Sequence, residues 1–232
     1  MIEIRNLLKE YPLPGGGSVI AMHVERLSIG HGEWVAVAGP SGSGKTTLLS
    51  ILGGVLAATS GCVEWDGEAW GKTVGAGTAR FRARRVGFVF QDLNLIPSLT
   101  LFENLMAAEC FLGLESDGTR IGILLERVGL AEKTGIKPGA LSRGERQRAA
   151  IARAMLHPHP LIVADEPTAS LDRENAALAM ELLCGMAREN GSALVVATHD
   201  PGVMERLGRR VELRPDISSR SHPAPDGKGV IR

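Results

Sequence analysis

Apolar and polar positions along the chain change rhythm three times. The first part alternates in short β-like runs: MIEIRNLLKEY, a turn cluster PLPGGGS, then VIAMHVERLSI and EWVAVAG. β-rich runs separated by turn-forming residues predict an antiparallel layer leading into a buried strand. WVAVAG is an apolar run ending in glycine, and KTTLLSILGG after it reads as a helix with a glycine stop. GCVEWDG predicts another strand with turns at both ends, TARFRARR a basic surface helix, and VGFVFQ a buried strand. From about residue 92 to 160 the pattern turns mostly helical, through TLFENLMAAECFL, IGILLERVGL and ALSRGERQRAAIARAM. The α/β rhythm then returns. LIVADE predicts a strand, NAALAMELLCGMAREN a helix closed by Gly191, and ALVVATH a strand. The final PDISSRSHPAPDGKGVIR is rich in Pro, Ser and Gly and reads as a loose tail.

This order predicts an α/β fold, a mixed sheet with flanking helices and an N-terminal antiparallel β layer, into which a helical sub-domain is inserted. The expected organisation is a single domain over residues 1–232. Residues 1–91 and 161–214 make the core, 92–160 the helical sub-domain, and 215–232 a flexible tail. There is no internal repeat and no heptad run.

Composition narrows the function. Of 232 residues, 44% are hydrophobic and 22% charged, as in ordinary globular chains and unlike disordered ones. Lys and Arg number 26 and so do Asp and Glu, for a net charge of zero. A sequence-independent nucleic-acid binder needs an excess of phosphate-neutralising cations, so that class is disfavoured. Cys62, Cys110 and Cys184 are widely scattered, which suits a reducing compartment better than a disulfide framework or a zinc site. MIEIRNLLKE is charged within its first turn and does not read as a secretory signal. No segment approaches the roughly 20 apolar residues that span a bilayer, so a membrane role would come through a partner.

The candidate chemistry begins at GPSGSGKTT, residues 39–47. It matches G-x-x-x-x-G-K-[ST] in the context that pattern requires, an apolar strand before it and a helix after. Glycines let backbone amides curl around phosphate oxygens, and the helix N-terminus adds partial positive charge. Gly39, Pro40, Ser41, Gly42, Ser43, Gly44, Lys45, Thr46 and Thr47 are therefore candidate nucleotide contacts. Lys45 would reach the β- and γ-phosphates, and the Thr46 hydroxyl would ligate magnesium. LIVADE adds two carboxylates at the C-terminal end of a buried strand, where α/β sheets place their ligands. Asp165 is the expected magnesium holder, directly or through water, and Glu166 the group that polarises the attacking water. The two segments together predict a P-loop NTPase core. In ALSRGERQRAAIARAM, Ser142 and Glu145 fit a capping box. Arg143, Arg146, Arg148 and Arg153 fit a solvated or interfacial helix face, while the same turn could also receive an anion.

In this order the segments resemble the ATP-binding subunits of ABC transporters, and the resemblance covers nearly the whole chain. That family has a Leu-Ser-Gly-Gly-Gln signature before a helix, which binds the γ-phosphate held by the partner subunit. Leu141, Ser142, Arg143, Gly144 and Glu145 stand in its place here. The resemblance implies that Ser142, Gly144 and Glu145 contact a partner's nucleotide and that Asp172, in SLD, touches the opposite subunit. It implies that Gln91 senses magnesium and water, that His199 contacts the γ-phosphate, and that Tyr11 stacks on adenine. Catalysis would fall to Glu166, His199, Gln91 and Lys45, and magnesium to Thr46, Gln91 and Asp165. Arg143 departs from the family, which commonly has glycine there; Gly144 is expected to make the closer approach. Glu145 suits a capping box as well as glutamine does.

The resemblance further implies ATP and Mg2+ as cofactors and a head-to-tail homodimer that closes around two ATP. It also implies a separate integral membrane permease as partner, with no nucleic acid and no direct membrane insertion. The chain would lie in the cytoplasm, peripheral on the inner face of the cell membrane. The segments look most like the lipoprotein-release and macrolide-efflux group. The apolar loop residues Leu93, Leu95, Ile96, Pro97 and Leu99 are candidates either for the permease contact or for packing of the helical sub-domain. Two alternatives remain at this point: an ATP-driven regulator of a membrane partner without transport, as in cell-division relatives, and a soluble ABC ATPase acting on nucleic acid or ribosomes.

Overall fold

The computed structural model describes residues 1–70, 82, 84–113 and 115–214. Two sheets organise them. Strands β1 (Ile2–Pro12) and β2 (Ser18–Ile29) form an antiparallel hairpin. Its turn is closed by Leu13 N–H to the Gly17 carbonyl at 3.0 Å and Gly16 N–H to the Leu13 carbonyl at 3.1 Å. β1 also pairs antiparallel with β4 (Ser60–Trp65), which β5 (Glu68–Trp70) extends, in the order β2-β1-β4-β5. The expected antiparallel layer is therefore present, with Ile2, Ile4 and Leu7 turned inward.

The second sheet contains β3 (Trp34–Ala38), β6 (Val86–Val89), β7 (Leu161–Asp165), β8 (Ala193–Ala197) and β9 (Arg209–Glu212). The order is β6-β7-β8-β3-β9, and every neighbouring pair is parallel. β7 and β8 are buried at all positions, which is why LIVAD and ALVVA read as continuous apolar runs rather than alternating ones. Successive side chains point to opposite faces, and each face has its own core. Ala36, Ile162, Ala164, Leu194 and Val196 pack with the helices on one side. Val35, Val37, Leu161, Val163 and Val195 pack on the other with Leu48, Leu49 and the antiparallel layer.

Helix α1 (Lys45–Leu52) follows β3. Between β6 and β7 come α2 (Leu101–Leu112), α3 (Gly118–Arg127) and α4 (Arg143–Ala154), with short 3-10 turns at Ala131–Lys133 and Pro138–Ala140. α5 (Arg173–Glu189) links β7 to β8, and the short α6 (Pro201–Arg206) precedes β9. Their starts are set by side chains: Thr100 with Glu103, and Ser142 with Glu145, each form a complete capping box, while Asp117 and Asp172 accept from backbone amides. β5, α6 and β9 were not anticipated. The expected basic helix over residues 78–85 lies mostly outside the described residues, as does the expected tail over 215–232. No helix among the described residues is long and apolar enough to cross a membrane.

Candidate functional site

Parallel strands deliver their C-terminal ends to one edge of the sheet, and four of them supply the site. β3 runs into residues 39–47, β6 is followed by Phe90 and Gln91, β7 ends in Asp165 and Glu166, and β8 is followed by Thr198 and His199. A cleft of about 760 Å³ opens on this edge, lined by Gly39, Pro40, Ser41, Gly42, Gly44, Lys45, Thr46, Thr47, Gln91, Asp165, Glu166 and His199. Its remaining wall is Val19, Ile20 and Ala21 of β2, with Ala169. These four were not anticipated; the first three are apolar strand positions, which carry no mark of what they face.

The loop is shaped by three glycines at positive φ: 152° at Gly39, 78° at Gly42 and 88° at Gly44. A Cβ on Gly39 would lie 2.5 Å from both Ser43 Oγ and the Leu213 carbonyl, and one on Gly44 would lie 2.6 Å from the Ala21 carbonyl. Gly42 meets nothing within 4 Å, so its surface is open. The loop is thus pressed against β2 and Leu213, just after β9, on one side and free on the other. Ser43 is buried beneath it and does not line the cleft. Gly44 caps α1 without a side chain, so the first amides of that helix have no side-chain partner. Lys45 Nζ donates to the carbonyls of Gly39 at 2.8 Å and Pro40 at 3.1 Å, which holds the ammonium over the loop.

Asp165 is buried, and its Oδ1 has no hydrogen-bond partner. Burial pushes its pKa up, opposed by a hydrogen bond from the Thr46 hydroxyl and by the Lys45 charge. A desolvated carboxylate oxygen beside a hydroxyl is a hard-oxygen pair of the kind that suits Mg2+. Glu166 takes the left-handed backbone at φ 47°, fixed by its N–H to the Ala197 carbonyl at 2.9 Å. A non-glycine residue in that region costs on the order of 1 kcal/mol or more and is common at functional positions. The turn aims the carboxylate at His199, whose Nδ1 lies 2.9 Å from Oε2 and 3.1 Å from Oε1.

Tyr11 does not line the cleft. It pairs across the hairpin with Val19, which does, and is 42% exposed with Lys9 Nζ 5.1 Å from its ring centroid. Ser142, Gly144, Glu145 and Asp172 also lie outside the cleft, but they come together as a second group. Ser142 Oγ accepts from Glu145 N–H at 3.2 Å, and the Glu145 carboxylate accepts from Ser142 N–H at 2.8 Å and faces Lys133 Nζ at 3.1 Å. These contacts hold the Glu145 carboxyl down at about 2, the Ser142 amide being the larger cause. A Cβ on Gly144 would collide with the carboxamide of Asn175, whose N–H is capped by Asp172. Arg143 is exposed and has no positive φ, so glycine is not needed there.

Two arginines of α4, Arg148 and Arg153, depart from the expected solvated or interfacial face. Arg148 Nε donates to the Val128 carbonyl at 3.0 Å. Arg153 donates to the carbonyls of Leu93, at 2.7 Å, and Asn94. Those two residues are consecutive left-handed positions, φ 62° and 49°. Buried Asn104 holds the next stretch, accepting from Ile96 N–H at 2.7 Å and donating to the carbonyls of Ile96, Leu99 and Thr100. The loop after Gln91 is therefore braced from α2 and α4. Of its apolar residues, Leu93 is buried and Leu95 packs on the core, whereas Ile96 and Pro97 are exposed.

Comparison with known proteins agrees with this geometry. Residues 23–169 match the family model described as ABC transporter. An uncharacterised ABC transporter ATP-binding protein of Mycobacterium tuberculosis, in strains CDC 1551 and H37Rv, is 41% identical over 224 residues, which is 96% of this chain and 67% of that protein. Among solved structures, the dimeric post-hydrolysis state of the ATP-binding cassette MJ0796 bound to ADP and Pi superposes with a TM-score of 0.85 at 34% identity, covering 92% of this chain and 94% of that one. A dimeric structure of MJ0796 described as a bacterial ABC transporter cassette gives 0.83 at 37%, with the same coverage. A cleft built at the ends of four parallel strands, and a family match that covers its phosphate loop, Gln91, Asp165 and Glu166, lead to one assignment: the chain belongs to the ABC transporter family as an ATP-binding, ATP-hydrolysing subunit.

Proposed function

We propose that two copies of this chain close head to tail around two ATP, and that this closure drives a separate integral membrane permease. The supporting observation for closure is the separation of the site residues into two groups on one chain. The cleft holds the phosphate loop, Asp165, Glu166, Gln91 and His199, while Ser142, Glu145 and Asp172, gathered around the buried Gly144, form a distinct group. Both solved relatives above are described as dimeric.

In each cleft the amides of residues 39–47 and the α1 N-terminus cradle the phosphates. Lys45 exchanges its loop carbonyls for the β- and γ-phosphate oxygens, and Tyr11, paired with the cleft residue Val19, stacks on adenine. Asp165 and Thr46, with Gln91, would hold Mg2+. Bound there, the ion would neutralise charge on the phosphate oxygens. Glu166 orients the attacking water, and His199, fixed through Nδ1 by Glu166, offers Nε2 to the γ-phosphate. The partner's signature turn adds its amides from the opposite side.

The permease reading draws support from a second cleft of about 410 Å³ beside the braced loop, lined by Val55, Phe88, Phe90, Asn94, Phe111 and Arg153 among others. Phe111 is 80% exposed, and Val55, Met106 and Ile96 are also exposed. An apolar patch of this kind marks a partner site. Within this reading we place the chain on the inner face of the cell membrane, working with a permease of the lipoprotein-release or macrolide-efflux type. The test is ATP turnover in proteoliposomes that contain a permease of the lipoprotein-release or macrolide-efflux type. Turnover is expected to rise several-fold over the chain alone, and Phe111→Asp is expected to abolish that rise. Turnover indifferent to the membrane protein contradicts the permease reading.

A further inference from the structure

One side chain outside both groups of site residues joins parts of the chain that the proposed closure needs in register. Asn175, in the first turn of α5, donates its N–H to Asp172 Oδ1 at 2.9 Å and its Nδ2 to Asp172 Oδ2 at 2.7 Å. Its Oδ1 accepts from Arg148 Nη1 at 3.3 Å, and Arg148 also holds the last turn of α3 through Val128. The same carboxamide is packed on Gly144, where any Cβ would strike it. Asn175 is half-buried, and its partners fix the orientation of its amide. A carboxylate only accepts and a guanidinium only donates, so nitrogen must face Asp172 and oxygen must face Arg148.

The residue type follows from this. Aspartate would set a second carboxylate against Asp172. A basic residue would oppose Arg148, and an apolar one would leave both charged groups without this bond. Only a short side chain with a donor and an acceptor on one planar tip serves both. It must also fit in the space that the missing Gly144 side chain leaves.

We propose that Asn175 is a positioning residue: it locks the signature turn at Ser142–Gly144 and the Asp172 loop into one rigid face, the face offered to the second copy. The inference rests on the head-to-tail closure above. It assigns a role in closure, not in chemistry, since Asn175 does not line the cleft. Displacing a binding group by about 1 Å can cost on the order of 100-fold in the process it serves. The loss should therefore appear in association of the two copies and not in the chain's own hold on nucleotide.

The experiment uses the full chain carrying Glu166→Gln, so that ATP persists. Sedimentation equilibrium in Mg-ATP reads the dimer dissociation constant, and a fluorescent ATP analogue on dilute monomer reads affinity at the phosphate loop. Asn175→Ala and Asn175→Asp are each expected to raise the dimer constant at least about tenfold, with monomer affinity unchanged within about twofold. The double exchange Asn175→Asp with Asp172→Asn restores one donor and one acceptor to the pair and keeps an acceptor toward Arg148. It is expected to tighten the dimer relative to Asn175→Asp alone, which a merely destabilised fold would not do; no gain over Asn175→Asp counts against the lock. A chain that dimerises equally well with and without Asn175 overturns this proposal alone. A Glu166→Gln chain that stays monomeric in ATP overturns the shared-site reading and this proposal with it.

Discussion

Two helix N-termini in this molecule lie at candidate phosphate sites, and they are made in opposite ways. The start of α1 is enforced by backbone. Gly39, Gly42 and Gly44 adopt positive φ, the first and last are pressed on Leu213 and Ala21, and no side chain caps the helix. The start of α4 has no positive φ. Its capping box is local, but its placement comes from Lys133, Arg148 and Asn175, which lie well away in sequence from the turn or reach across to another element. The first is set by its own backbone against Leu213 and Ala21, as suits the proposed hold on the chain's own nucleotide. The second is rigid only in its surroundings, as suits a surface that acts on another copy.

Substitutions at the two places should therefore fail differently. The largest effect is expected at the chemistry both serve: Glu166→Gln should lower ATP turnover by about 100-fold to 10,000-fold, the span of a lost acid–base group, with ATP binding retained in a labelled-nucleotide assay. Next is Gly44→Ala, which adds left-handed strain and a collision with Ala21 and Met22. It should cost about 2 kcal/mol or more of stability, read as a lower Tm, and abolish nucleotide binding. Gly144→Ala is the matching change on α4. It should leave nucleotide binding by the monomer intact and weaken only the ATP-dependent dimer, about tenfold, because the methyl displaces Asn175. Arg143→Gly, the change toward the family's usual residue, should alter turnover by less than about twofold and cost about 1 kcal/mol of stability, since it puts glycine into a helix.

The smallest effect is at Glu145. Its folded pKa of about 2 lies below the unfolded value of 4.5, so its contribution to stability is present above 4.5 and lost as pH falls toward 2. Glu145→Gln keeps the capping geometry. The acid limb of a denaturation curve between pH 4.5 and 2 should therefore flatten slightly, because stability above pH 4.5 falls a little while that near pH 2 is unchanged.

The same contrast explains what could be read from the residues in advance. GPSGSGKTT and LIVADE are contiguous, so spacing alone brought Lys45, Thr46, Asp165 and Glu166 to their places at the sheet edge. The capping boxes at Thr100 and Ser142 span three residues, within reach of any local pattern. Arg153 on the Leu93 and Asn94 carbonyls is a contact some 60 residues apart, and nothing near Arg153 distinguishes it from a solvated arginine. Val19 and Ile20 line the cleft only because β2 folds against the phosphate loop. β9 escaped notice because RRVE is short, mostly charged and at a sheet edge, where one partner strand suffices. Tyr11 sits beside the cleft wall, its stacking role carried by resemblance alone.

The central claim is that one copy carries half of each ATP-binding chamber. Its most direct test is the mass of the Glu166→Gln chain by sedimentation in Mg-ATP and, separately, in Mg-ADP. The account predicts close to twice 24.6 kDa in ATP and a single chain in ADP. A mass of one chain at saturating ATP would contradict it.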